Sequence, residues 1–221
     1  MRSLSQPAVM WRAAMAALLT ITACYPRLAL WQDRPQALGF LAALLGLVSF
    51  VMWAFVLAWL PEHARTTLLP RRFDHRLWTL ATLVGLAGGG LLWGVFDPSL
   101  RPLLPQDYPA TRMAWVAATL FHLTFVQLFL AFAPLAFFAR LLGDRLVAAA
   151  LTVLFGLFLL LVQVNAAEVA LSTWLVAGMI AVRILFGALG MYLLLRGGLL
   201  PVSWSAFLIQ LRLLIGLESP G

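Results

Sequence analysis

The chain has 221 residues, of which 63% are hydrophobic and 10% charged, and its mean hydropathy is +0.98. Soluble globular chains carry roughly 45–50% apolar and about 25% charged residues, so this composition excludes a water-covered globule and points to a polytopic membrane protein. All 15 basic residues are arginine and eight residues are acidic, for a net charge of +7; in a membrane chain that excess faces anionic lipid rather than nucleic acid. The absence of lysine excludes lysine-based covalent chemistry, and a single cysteine, Cys24, excludes an intrachain disulfide or a thiolate metal cluster.

Apolar runs of membrane length, separated by clusters of charge and proline, predict an all-α transmembrane bundle of about seven spans. These fall at 9–31, 37–60, 76–96, 111–139, 146–164, 169–196 and 200–217, within one integral membrane domain over residues 1–221. The first is interrupted by Arg12 and Arg27, each near enough to an end to snorkel to the headgroups. The same stretch also reads as a signal peptide: MRSLSQPAVMWR precedes AAMAALLTITAC, and ITAC loosely matches a lipoprotein cleavage box ending at Cys24. The third run carries Gly85, Gly88, Gly89, Gly90 and Gly94. Its four-residue spacings, Gly85 to Gly89 and Gly90 to Gly94, predict a surface for close helix packing, inside the chain or against a partner. The fourth run has 29 residues, roughly 43 Å of helix, and Pro134 near its end predicts a kink or break there.

Arginine placement predicts the orientation. Nine arginines (Arg2, Arg12, Arg65, Arg71, Arg72, Arg76, Arg140, Arg145 and Arg196) fall on one side and five (Arg27, Arg34, Arg101, Arg112 and Arg212) on the other. The positive-inside rule then puts the N-terminus in the cytoplasm and the C-terminus outside, and the expected location is a bacterial inner (cytoplasmic) membrane. The loop PEHARTTLLPRRFDHR, with Arg65, Arg71, Arg72 and Arg76, either docks anionic headgroups or carries ordinary orientation charge.

The search for chemistry returns mostly negatives. No HExxH, no GxSxG elbow and no glycine-rich phosphate loop is present, and no metal or cofactor is expected. The polar residues within the spans are His122, Gln127, Gln163, Asn165 and Arg183. His122 and Gln127 stand five apart, about 140° around an α-helix, so they are expected to face different neighbours. Arg183 lies about 14 positions from each end of its predicted span, roughly 20 Å of helix, out of snorkelling reach of either interface. A buried guanidinium needs acceptors, yet every acidic residue falls in a loop or at a span end. Three readings stay open: Arg183 is satisfied by backbone carbonyls with Gln127 or His122, by an acid of a partner subunit, or by an anionic lipid or substrate.

Two segments, ARLLGDRLVAAALTVLFGLF (139–158) and FGALGMYLLLRGGLLPVSWSAFLIQL (186–211), carry a resemblance. From Gln127 to Gln210 the chain resembles the CAAX-protease and bacteriocin-processing (CPBP) family of intramembrane endopeptidases, which implies a CPBP-like helical core at about 111–217 behind weaker N-terminal spans at 9–110. The family's catalytic residues are not retained. Counting back from Gly143, its Glu-Glu pair falls near Val126 and Gln127 and its arginine near Ala131. Phe155 matches the second motif, whose histidine falls at Leu159, and the histidine and asparagine of the third motif fall near Ala206 and Gln210. The resemblance implies glutamate-activated water with polarising donors, and this sequence has no acid between Asp107 and Asp144 and no histidine after His122.

The leading expectation is therefore a degenerate member: a non-catalytic scaffold or accessory subunit. It would bind another integral membrane protein through small-residue helix faces, with Arg183, His122 and Gln127 as partner or ligand contacts. Two alternatives remain, an endopeptidase with a divergent site at His122 and Gln127, and a small permease or lipid-handling protein using Arg183 as an anion site. The last predicts a cavity reaching Arg183.

Overall fold

The structure is a computed structural model that describes residues 4, 6–31, 34–64, 66, 68, 74–166, 171–215 and 217. Among these residues there is no strand, and seven helical rods form one bundle. They are α1 (Pro7–Trp31), α2 (Pro35–His63), α3 (His75–Leu100), α4 (Arg112–Leu142), α5 (Arg145–Ala166), α6 (Thr173–Gly197) and α7 (Leu199–Leu214). The first six are long and apolar enough to cross a membrane. The seventh, expected as a full span over 200–217, has 13 α-helical residues, Leu199–Leu211, and then a 3₁₀ turn, Arg212–Leu214. Those 13 residues reach only about 20 Å, short of the ~30 Å hydrocarbon core.

The outer faces carry Trp11, Leu19, Phe40, Leu47, Leu83 and Phe158, each more than half exposed, as lipid-facing helices require. Helix α4 packs on α1, α2 and α5, α6 lies on α5, and α3 packs on α6 and α7. The tightest core gathers at one end of the bundle, where Leu60 of α2, Ala81 of α3, Leu135 of α4, Ala148 of α5 and Leu194 of α6 are buried.

Local chemistry sets the sharp reversals at that end. Gly143 ends α4 in the left-handed region (φ 71°), with its N–H bonded to the Ala139 carbonyl at 3.0 Å. Asp144 then caps α5, its Oδ1 accepting from the N–H groups of Leu146 (2.7 Å) and Val147 (3.1 Å). Thus the Leu-Gly-Asp sequence is a helix stop joined to a helix start. Gly198 (φ 77°) makes the corresponding turn between α6 and α7, which the chain at Thr66 and Leu68 secures. The Thr66 hydroxyl donates to the Leu194 carbonyl (2.8 Å), and the Leu199 N–H donates to the Leu68 carbonyl (3.0 Å).

The glycines of α3 divide by face. A β-carbon at Gly85 would stand 2.7 Å from Leu208 Cβ and 2.8 Å from the Ser205 carbonyl oxygen, and one at Gly89 would stand 3.4 Å from the Leu208 carbonyl oxygen. Both therefore serve the close approach of α7 to α3. Gly90 and Gly94 have nothing within 4 Å of that position and are exposed.

Candidate functional site

Helix α4 runs for 31 residues, but two stretches are wound as π-helix, His122–Val126 and Leu128–Phe132. The irregularity expected at Pro134 lies just upstream of it. Proline has no N–H to donate to Leu130, four residues back, and its ring crowds that carbonyl. The π turns also overturn the expectation that His122 and Gln127 face apart. An α-helix would separate them by about 140°, but the Gln127 N–H donates to the His122 carbonyl across five residues, bringing both onto one wall.

That wall closes a cavity of about 330 Å³ bounded by α3, α4, α5, α6 and α7 and partly open to the outside. Its polar lining among the described residues is His122, Gln127, Thr152, Arg183, Ser205, Gln210 and Arg212, with no carboxylate among them. Of the six positions expected for the family's catalytic residues, Val126, Gln127, Ala131, Ala206 and Gln210 line this cavity, whereas Leu159 does not.

Arg183 is ten residues from Thr173 and 14 from Gly197, so it stands near the middle of α6 although the helix begins later than expected. Its guanidinium folds against bare backbone on α5: a β-carbon at Gly156 would stand 3.0 Å from Nε and 3.1 Å from Cζ. Glycine at 156 is what lets the cation lie there. Arg183 makes no hydrogen bond or ion pair with any described residue.

The remaining polar groups are partly committed. Gln127, 6% exposed, accepts through Oε1 from the Ser203 hydroxyl at 3.0 Å, which leaves its amide N–H groups without a partner among the described residues. The Gln210 side chain has no partner among them either, while its backbone carbonyl accepts from Trp115 Nε1 at 2.9 Å and ties α7 to α4. Thr152 and Ser205 spend their hydroxyl protons on carbonyls of their own helices, Ala148 and Val202.

Arg212, assigned from sequence to orientation charge alone, lines the cavity rim. Its Nε lies 3.2 Å from Asp97 Oδ2, and Asp97, 4% exposed, also accepts from the Tyr108 hydroxyl at 2.9 Å. The Arg212 N–H is not aligned on the carboxylate, so the pair is held by charge rather than by a directed hydrogen bond. Burial, the hydrogen bond to Asp97 and the carboxylate charge raise the Tyr108 phenol above its ordinary pKa. The sequence signal was available: opposite charges, Asp97 and Arg212, at the same ends of neighbouring helices.

Other expected contacts lie elsewhere. Arg65, Arg71 and Arg72 fall outside the described residues, and Arg76 is exposed in the first turn of α3. Cys24 is buried in α1, its Sγ 3.3 Å from Thr124 Oγ1 of α4. Among the described residues no three His, Cys, Asp or Glu side chains cluster. No family model, curated protein or solved structure matches the chain.

Proposed function

We propose that this chain is a non-catalytic membrane protein that binds an amphiphilic ligand in the cavity between α3, α4, α5, α6 and α7, a lipid-handling role rather than a hydrolytic one. The observation that carries the reading is Arg183: a cation near mid-helix, on the wall of a cavity, with neither an acceptor for it nor a lining carboxylate among the described residues. A guanidinium near mid-helix without an acceptor costs free energy that a ligand can return. The volume falls at the lower end of small-molecule sites, which run to roughly 300–1,000 Å³, and the walls are mostly apolar. Descent from a CPBP-like protease fits the convergence of Val126, Gln127, Ala131, Ala206 and Gln210 on one cavity. The missing general base argues that such a site has become a binding site.

The test uses the intact chain purified in mild detergent and native mass spectrometry, with Gly190→Leu beside the wild type. Gly190 lines the cavity and has open space where a β-carbon would stand, so leucine there is expected to occupy the site. One amphiphile per chain on the wild type and none on the variant is the expected result. A wild-type chain free of bound amphiphile, with no added lipid restoring one, contradicts the reading.

A second reading, an accessory subunit for another integral membrane protein, is favoured by Gly90 and Gly94, whose shared face is exposed and open. Co-purification of one partner that Gly90→Leu releases supports it, and a partner-free chain with full biological activity opposes it. For either role we place the chain in a bacterial inner membrane with the N-terminus cytoplasmic, on the arginine asymmetry.

A further inference from the structure

Deepening the binding reading just given, and resting on it, we infer that the cavity selects a singly charged oxyanion head, a phosphodiester or carboxylate on an apolar tail. Arg183 is its anchor, and Gln127 and Gln210 are neutral donors. The charge count carries the argument. Among the described residues two arginines line the cavity. Arg212 has its counter-charge in Asp97 at 3.2 Å, and Arg183 has none among the described residues. The site therefore lacks one negative charge. At low dielectric a dianion would leave one charge unbalanced, and a zwitterionic head would bring its own cation toward the guanidinium.

The hydrogen-bonding groups point the same way. Gln127 is nine-tenths buried with its carbonyl committed to Ser203, so the half left for a ligand is the donor half. Gln210 adds an amide without a partner on the facing helix, and the guanidinium supplies a fork suited to two oxygens. Gly156 sets where that fork lies, because a side chain there would displace it. The rest of the lining, including Val84, Leu92, Val126, Leu130, Phe186 and Ile209, offers methyl and ring surface to a hydrocarbon tail. A bare inorganic anion would leave that surface uncovered.

Affinities measured on the full chain in a neutral maltoside detergent test the inference. The probes are phosphatidylglycerol and phosphatidylcholine with identical acyl chains, with inorganic phosphate as competitor. Phosphatidylglycerol binds the wild type about tenfold or more tightly than phosphatidylcholine, as expected for one charge-assisted anchor. Arg183→Gln brings the ratio close to one. Gly156→Ala keeps every charge but crowds Nε and Cζ, so it lowers the ratio without changing the fold. Millimolar inorganic phosphate leaves the lipid in place. Equal affinity of the wild type for both lipids, or an undiminished ratio in Arg183→Gln, overturns the inference while the binding reading stands. Displacement by inorganic phosphate alone overturns the amphiphile assignment. Failure to bind either lipid overturns the binding reading itself.

Discussion

The backbone N–H of Gln127 donates to the carbonyl of His122, five residues earlier, and this bond turns both side chains into one cavity. A π turn accommodates one more residue than an α turn, so removing one residue relaxes it. Deletion of Leu123 is expected to restore α-helical bonding while α4 keeps its packing on both sides. His122 and Gln127 then stand four apart, about 40° around an α-helix, so both stay on the cavity wall and lipid affinity is expected to hold, with little change in thermal stability. Affinity and melting temperature measured on the same preparation check this.

Asp97 and Arg212 predict a stability effect. Asp97→Asn keeps an acceptor for Tyr108 but strips Arg212, whose side chain is 16% exposed, of its counter-charge. Breaking such a pair costs about 3 kcal/mol, read as a lower unfolding midpoint in detergent. Replacing both residues together by leucine recovers most of the loss, because the uncompensated charge is gone.

Tyr108 predicts an alkaline limit. Its pKa is raised in the folded chain, so the native state holds the phenolic proton more tightly than the unfolded state does. The associated stability is intact below the ordinary tyrosine value of about 10 and is lost as pH rises beyond it. Tyr108→Phe is expected to flatten that limb of the stability profile between about pH 10 and 12.

The two glycine faces of α3 predict opposite tolerance. Alanine at Gly85 meets Leu208 Cβ and the Ser205 carbonyl below 3.0 Å, where backbone cannot yield cheaply. Overpacking of this kind costs about 1–3 kcal/mol. Alanine at Gly90 meets nothing within 4 Å and is expected to leave the midpoint unchanged or slightly raised. Parallel thermal scans separate the two.

The helices were legible because membrane spans write themselves as uninterrupted apolar runs; α2, with no charge between Pro35 and Leu60, is an instance. Arg183 was legible as a lone charge within such a run. The cavity was not, because it depends on residues from 84 to 212 meeting across five helices. His122 and Gln127 were misread because their spacing was converted to an angle with α-helical geometry, whereas the backbone between them is wound as π-helix. Helix α7 was overextended because apolar residues continue past Leu211, where the backbone tightens into a 3₁₀ turn and Arg212 turns to Asp97.

The most direct measurement of the central claim is a structure of the chain in nanodiscs containing phosphatidylglycerol. The account predicts an oxyanion about 2.7–2.9 Å from the Arg183 guanidinium nitrogens, with the amides of Gln127 and Gln210 turned toward it and a tail along the apolar wall. An Arg183 side chain satisfied by backbone carbonyls, in a cavity closed by its own walls, would contradict it.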